Sequence, residues 1–172
     1  MSEQKPLAWM DEAFKHLGIK EIKGPKTHPE IAKMLVEVKA GWTGDETPWC
    51  AIFTSAVLKR TGRSYPTKSP GWALSHRTNG VILKKPAYGA VATKKRNGGG
   101  HVTFVAGITE TGMIVGLGGN QSDSVNLALF KPSELTYTWP ALANGTKTVP
   151  TEERYDLPVY DSKTLKVSVK ED

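Results

Sequence analysis

The spacing of apolar residues changes near Tyr88, and this change constrains the fold more than any other feature of the sequence. Before Tyr88 the apolar residues recur at helical spacing, whereas after it short apolar runs are separated by glycine-containing turns. Helices followed by several short strands predict an α+β domain in which N-terminal helices pack on a small antiparallel β-sheet. The 172 residues are enough for one domain with its own hydrophobic core.

Glycine and proline residues set the expected limits of these elements. Gly18, Gly41 and Gly62 each follow an apolar helical pattern, where glycine is the usual residue to end a helix. The predicted helices cover residues 7–17, 28–41, 50–62 and 72–77, and the predicted strands cover 89–93, 102–108, 113–117, 125–130, 135–139 and, as an edge strand, 164–169.

The chain contains one cysteine, Cys50, and its neighbours favour a reactive thiol. Pro48 excludes regular helix immediately before it, and an amphipathic helical run follows it. Cys50 is therefore expected at a helix N-terminus, where unpaired backbone N–H groups and the helix dipole favour the thiolate. A lone cysteine is more often a buried small apolar residue, so this interpretation depends on its position and on what accompanies it.

Two later segments supply the groups that a thiol nucleophile needs. His101 follows three glycines at the start of a predicted strand, and Asn120 lies one hairpin further along the chain. An amide near the same end of the adjacent strand would orient the imidazole ring. Gln121 would serve instead of Asn120 if the register shifts by one residue, and Asp123 is a competing candidate. The order Cys, His, Asn is that of a papain-like thiol hydrolase.

These residue types predict amide hydrolysis through a thioester. The thiolate would attack a carbonyl carbon, and the histidine would then protonate the leaving nitrogen. The backbone N–H of Cys50 is one expected oxyanion donor, and the sequence does not identify the second. Trp49, Trp72 and Gln121 are the predicted substrate-binding residues. Tryptophan residues more often belong to a hydrophobic core than to a ligand site. Trp49 and Trp72 could therefore be core residues or could line the substrate cleft.

The charge and the remaining polar residues narrow the choice of partner. The net charge of +6 suits an anionic envelope or wall polymer, and no zinc-finger spacing, paired aromatic strand signature or basic heptad helix indicates nucleic acid. The four histidines lack metal-ligand spacing, and Asp45 and Glu46 alone are a poor calcium site. We therefore expect no metal and no cofactor.

The sequence also bears on the compartment of the protein. No apolar run approaches the roughly 18 residues that span a bilayer, and residues 1–6 do not resemble a secretory signal. A single cysteine excludes an internal disulfide framework, which suits a reducing compartment. We expect a soluble monomer with no stable membrane insertion.

Three segments resemble the motifs of peptidoglycan hydrolases of the CHAP and NlpC/P60 families. Residues 47–53 (TPWCAIF) are similar to the nucleophile motif, residues 100–105 (GHVTFV) to the histidine motif, and residues 117–125 (LGGNQSDSV) to the following strand and loop in small phage-associated lysins. The likeness covers roughly residues 7–140, with the motifs in the family order. Many relatives carry a carboxylate two residues before the amide, where this chain has Gly118.

The resemblance implies a papain-like α+β fold and hydrolysis of an amide bond in the bacterial stem peptide. Cys50 would be the nucleophile, His101 the general base and acid, and Asn120 the orienting residue. Residues 1–143 would form the catalytic domain, with 144–172 as a polar C-terminal extension of it. The chain also lacks the calcium-binding acids and the wall-binding repeats of some relatives.

The resemblance also implies a biological setting. The protein would be a phage endolysin made in the host cytoplasm, reaching the periplasmic cell wall with the help of a holin. An N-acetylmuramoyl-L-alanine amidase or an antibacterial effector toxin would use the same triad. The alternative from another class is a non-enzymatic basic module that binds wall polymer or nucleic acid.

Overall fold

The computed structural model describes residues 4–23, 26–41 and 48–165, and these residues form an α+β domain. This confirms the predicted fold class at the level of helices packed on a sheet. The helices are α1 (Ala8–Phe14), α2 (Pro29–Glu37) and α3 (Cys50–Arg60), with 3₁₀ helices at Ala73–Thr78, Pro132–Glu134 and Glu152–Tyr155. The strands are β1 (Gly80–Leu83), β2 (Val91–Arg96), β3 (Gly99–Thr109), β4 (Ile114–Gln121), β5 (Ser124–Phe130), β6 (Leu135–Pro140) and β7 (Val159–Tyr160).

The observed elements depart from the predicted ones in a few places. Helix α1 ends at Phe14, and the chain continues as turns to Gly18, whose N–H donates to the carbonyl of Val125. The predicted short helix is a 3₁₀ helix, and β1, an edge strand with an exposed Ile82, was not predicted. The predicted edge strand is not seen at 164–165, and residues 166–169 lie outside the described residues.

The sheet has the strand order β1-β6-β2-β3-β4-β5, with antiparallel neighbours, and β7 pairs with β3 in parallel. Strand β3 is central. Its register pairs Lys94 of β2 with His101 and pairs Phe104 with Leu117 of β4. Because β3 begins where β4 ends, the β2–β3 and β4–β5 hairpins lie at the same end of the sheet.

The two faces of the sheet have different neighbours. Phe104 packs edge-on against Phe53 of α3, with ring centroids 6.4 Å apart. The β2–β3 pairing runs without a register break, so alternation places His101 and Thr103 on the opposite face. We call the side of Phe104 the helix face and the side of His101 the far face.

Helix α3 lies in the interior of the domain. Its first nine residues, Cys50 to Leu58, are all buried, which is typical of a helix covered on every side. The sheet covers one side of α3. Helices α1 and α2 contribute the buried side chains Trp9, Met10, Ala13, Ile31, Met34 and Leu35 to the same hydrophobic core.

Arg60, at the C-terminal end of α3, joins the three α-helices through carboxylates. Its guanidinium donates to both oxygens of Glu37 at 2.7 and 2.8 Å and to Glu12 at 3.0 Å, and it lies 2.9 Å from Glu30. Hydrogen bonding to Arg60 lowers the pKa of Glu37. Burial alone would raise the pKa of Glu12, but the hydrogen bonds from His16 and Arg60 outweigh it and the pKa is lowered.

The described part of the C-terminal extension packs on the same domain. Leu157 belongs to the hydrophobic core, and the N–H of Tyr88 donates to the carbonyl of Arg154 at 2.7 Å. The carboxylate of Glu110, just after β3, accepts hydrogen bonds from the backbone and side chain of Ser162. Within residues 144–165, strand β7 pairs with β3, and the turns before and after β7 also contact the domain.

Candidate active site

Cys50 is the first residue of α3, as its sequence position predicted. Within α3 itself, the first turn contains no acidic residue, and the positive end of the helix dipole lies at Cys50. The side chain of Cys50 is 5% exposed. The helix terminus therefore favours a thiolate at this position, while burial allows only narrow access to it.

Trp49 anchors the start of α3 to the sheet. Its indole N–H donates to Glu21 Oε2 at 3.2 Å, and the residue is 1% exposed. A Cβ on Gly119 would lie 2.7 Å from Trp49 Cζ3 and 2.7 Å from Phe53 Cβ, so only glycine allows this approach. The predicted role of the Trp49 ring in a substrate cleft is not supported, because the ring is packed in the core.

Trp72, the other predicted cleft residue, is 52% exposed. It precedes the 3₁₀ helix Ala73–Thr78, in which Leu74 lies against the β2–β3 hairpin. A Cβ on Gly100 would be 2.6 Å from Leu74 Cδ2. Trp72 is thus an exposed indole close in the chain to the residues that flank His101.

His101 lies on the far face in a closely packed setting. The residue is 1% exposed, its Nε2 is 3.1 Å from Gln121 Oε1, and its ring stacks on Phe130 with centroids 5.7 Å apart. Burial lowers the pKa of His101 to about 4; the hydrogen bond to Gln121 opposes this shift, and the charges of Arg96 and Lys94 add to it. The imidazole is therefore neutral near pH 7.

The amide of Gln121 has a fixed orientation, which decides where the proton of His101 lies. Its Nε2 donates to the carbonyl oxygens of Gly116 at 3.1 Å and Asn126 at 2.8 Å. Both partners are acceptors, so the NH₂ group must face them and Oε1 must face His101. The His101 Nε2 is then the donor, and the lone pair of the neutral ring is on Nδ1. The residue that fixes this arrangement, Asn126, also donates to the carbonyl of Gln121 at 2.8 Å.

A bulge explains why Gln121 and not Asn120 contacts the histidine. Asn120 has φ +55° in the left-handed region, and the β4–β5 register breaks between Gly118 and Gln121. Gly118 and Gln121 therefore share the far face although they are three residues apart. A Cβ on Gly118 would lie 2.6 Å from Gln121 Oε1, so the glycine makes room for the amide. Among the described residues, Gln121 is the one side-chain hydrogen-bond partner of His101.

The structure gathers the predicted residues at one end of the sheet but on different faces. Cys50 begins the helix that packs on the helix face, whereas the His101 ring lies on the far face. Pro48 and Gly100, which are close in sequence to these two residues, line one groove.

Phe130 and Asn126 are site residues that sequence analysis missed. Both lie on β5, and their pairing with β4 places them on the far face beside the His101–Gln121 pair. Alternation along β5 predicts that Asn126 and Phe130 share one face of the sheet. It does not predict that this face also carries His101 and Gln121, because that depends on the register of β4 with β5. The β4–β5 register includes the break between Gly118 and Gln121, at the bulge of Asn120.

A second buried histidine, His76, lies on the helix face. Its Nε2 is 3.2 Å from Ser55 Oγ, and that hydroxyl donates to the carbonyl of Pro70 at 3.0 Å. His76 Nε2 is consequently the donor to Ser55. Burial lowers the pKa of His76 to about 4. This ring joins the 3₁₀ helix Ala73–Thr78 to α3, a structural contact that the sequence did not indicate.

The described residues show neither a metal cluster nor a membrane-spanning helix. Within residues 4–23, 26–41 and 48–165, no three His, Cys, Asp or Glu side chains are grouped as metal ligands. Asp45 and Glu46 lie outside the described residues. In the same ranges, none of the helices has the length and apolar character needed to cross a bilayer.

The two buried histidines predict a pH-dependent stability. Each ring is neutral in the folded state with a pKa of about 4, against an ordinary value of 6.5, so the unfolded chain binds more protons between these values. We expect the free energy of unfolding to fall as the pH drops from 6.5 towards 4, by up to about 1.4 kcal/mol per pH unit for each histidine. Denaturant titrations at several pH values measure this slope.

His101→Gln provides the comparison, because the amide can still donate to Gln121. The variant should lose about half of the pH slope, leaving the part due to His76. An identical slope in the variant and the parent protein would contradict the assignment of His101 as a buried neutral ring.

Comparison with known proteins gives no relative: no protein-family model, no curated protein and no solved structure matches the chain. The α+β class and the seven-stranded sheet are thus described from this chain alone.

Proposed function

We propose that the protein is a cysteine hydrolase with a papain-like fold of the NlpC/P60 and CHAP type, cleaving an amide bond in the stem peptide of bacterial peptidoglycan. Cys50 is the nucleophile, His101 the general base and acid, and Gln121 the orienting residue in place of Asn120. The fold type and the substrate follow from the motif resemblance. The roles of the residues are supported by their positions at one end of the sheet.

The observation that carries the proposal is the hydrogen bond from His101 Nε2 to Gln121 Oε1. It directs the lone pair of the neutral ring to Nδ1, the atom that would exchange a proton with a thiol. An amide suits a cysteine–histidine pair, because a thiolate and an imidazolium need orientation rather than a further negative charge. The hydrogen bonds from Gln121 to Gly116 and Asn126 keep this orientation fixed.

The proposed reaction has two steps. His101 Nδ1 accepts the thiol proton of Cys50, and the thiolate attacks the amide carbon to give a tetrahedral oxyanion. The C–N bond breaks, the leaving amine takes the proton from Nδ1, and a thioester remains. Water then loses a proton to Nδ1 and attacks the thioester, and the proton returns to the sulfur as the carboxylic acid product leaves. The backbone N–H of Cys50, at the start of α3, is one proposed donor to the oxyanion.

Several biological settings share this chemistry. We propose a phage endolysin made in the host cytoplasm that reaches the periplasmic cell wall with the help of a holin. A bond between muramic acid and L-alanine, as cut by an amidase, requires the same three residues. An effector toxin delivered into a rival bacterium would also use the same three residues.

A non-enzymatic binding module is the second candidate, and the basic groove beside Pro48 is the observation that favours it. Such a module would bind an anionic wall polymer or nucleic acid through Lys94, Lys95 and Arg96. Its binding would weaken steeply with salt and would not depend on the thiol of Cys50.

Turbidity of purified Gram-negative sacculi tests the proposed function. We expect the wild-type protein to clear the suspension and Cys50→Ala to leave it turbid, because the thioester cannot form without the sulfur. Mass spectrometry of the released fragments identifies the bond that is cut. Circular dichroism of the variant provides the folding control.

If both folded proteins leave the sacculi intact, the hydrolase proposal fails and the binding module takes its place. Equal clearing by the wild-type protein and Cys50→Ala would equally refute a role for the thiol.

The orienting residue is tested by comparing Gln121→Ala with Asn120→Gly. Glycine tolerates the left-handed backbone at Asn120, so this variant removes the amide without strain. We expect Gln121→Ala to lower kcat by about tenfold to a hundredfold, since the ring loses its orientation, and Asn120→Gly to retain activity. Initial rates of sacculus clearing measure both effects. The opposite ranking would restore Asn120 as the orienting residue.

A further inference from the structure

The end of the β2–β3 hairpin forms one wall of a groove next to the proposed reaction centre. The groove has a volume of about 510 Å³ and is lined by Pro48 and by residues 94–100. Pro48 precedes Cys50 by two residues, and Gly100 precedes His101 by one. A chain lying in this groove would contact residues that lie just before Cys50 and His101 in the sequence.

The side chains of this groove are predominantly cationic. Lys94, Lys95 and Arg96 line it, and Lys94 also forms an ion pair with Glu134 at 3.2 Å. A second groove of about 470 Å³ is lined by Lys94 and Lys95 together with Arg77. Glu134 is the one carboxylate among the described lining residues of the two grooves. The described lining residues of the two grooves therefore favour an anion over a cation.

Lys95 is the most available of these cations. It is exposed and has no ion pair among the residues that the structure describes. It pairs with Gly100 across the hairpin. Residues 98–100 are all glycine, so the opposite strand presents no side chain beside Lys95, and the Leu74 side chain covers Gly100.

We propose that this hairpin groove binds a free carboxylate of the substrate peptide, next to the scissile amide and in contact with Lys95. The inference rests on the proposed function, since it assigns part of the substrate to the same site. A lysine ammonium and a carboxylate form a charge-assisted hydrogen bond, and the neighbouring Lys94 and Arg96 strengthen the local field. The groove thereby selects acidic peptides over their neutral, amidated forms.

Binding to a catalytically inactive protein separates this inference from the proposed reaction. The probe is a disaccharide–peptide fragment released from Gram-negative sacculi, used both with free carboxylates and after conversion of these carboxylates to amides. Titration calorimetry with the Cys50→Ala protein measures both affinities. We expect the amidated fragment to bind about tenfold more weakly.

Lys95→Glu in the same background tests the residue, and Lys84→Glu is the matched control. Lys84 is exposed, lines a different groove and gives the same change of net charge. We expect Lys95→Glu to weaken binding of the acidic fragment about tenfold and to abolish the preference over the amidated one. Lys84→Glu should retain the parent affinity and the preference.

The inference fails if the acidic and amidated fragments bind equally, if neither binds, or if the two charge variants behave alike. It also fails if a single-stranded oligonucleotide binds as tightly as the acidic fragment and Lys95→Glu weakens that binding. The groove would then be a phosphate-binding site rather than a carboxylate-binding site. Selective binding of the acidic fragment without clearing of sacculi by the wild-type protein would refute the proposed reaction and leave this subsite standing.

Discussion

The arrangement of the site depends on the buried amide of Gln121, which is held between backbone carbonyls. Its NH₂ group donates to Gly116 and Asn126, so its oxygen must accept from His101. This single constraint fixes the tautomer of the histidine and leaves Nδ1 as its basic atom. Phe130 covers the ring and maintains the low polarity that lowers its pKa. The glycine at position 118 is needed because a side chain there would collide with Gln121.

The start of α3 is the second fixed point. Trp49 is buried against Gly119 and hydrogen-bonded to Glu21, so the first turn of α3 is held against the end of β4. The same end of the sheet carries the His101–Gln121 pair. The Trp49 contacts hold the N-terminus of α3, with Cys50, at one end of the domain. The Gln121 hydrogen bond holds His101 at the same end. The basic hairpin lies beside this end and gives the site a charge preference.

The sequence predicted those features that depend on local chemistry. The helical spacing, Pro48 and Gly62 defined α3 almost to the residue, and the α+β class followed from the change of pattern near Tyr88. The choice between Asn120 and Gln121 was not predictable, because it depends on a bulge that is set by pairing with β5. The burial of Trp49 likewise results from long-range packing, which residue spacing does not reveal. Strand β1 is short and half-exposed, so its pattern carried little signal.

Alkylation of Cys50 as a function of pH tests the central claim most directly, because the chain has a single thiol and no substrate is required. Iodoacetamide labelling followed by mass spectrometry of the folded protein gives the rate at which Cys50 reacts at each pH. The neutral ring of His101 can accept the thiol proton, so we expect Cys50 to react faster near pH 7 in the parent protein than in His101→Gln, where no base replaces the imidazole. Equal rates in the two proteins would contradict the proposed pair.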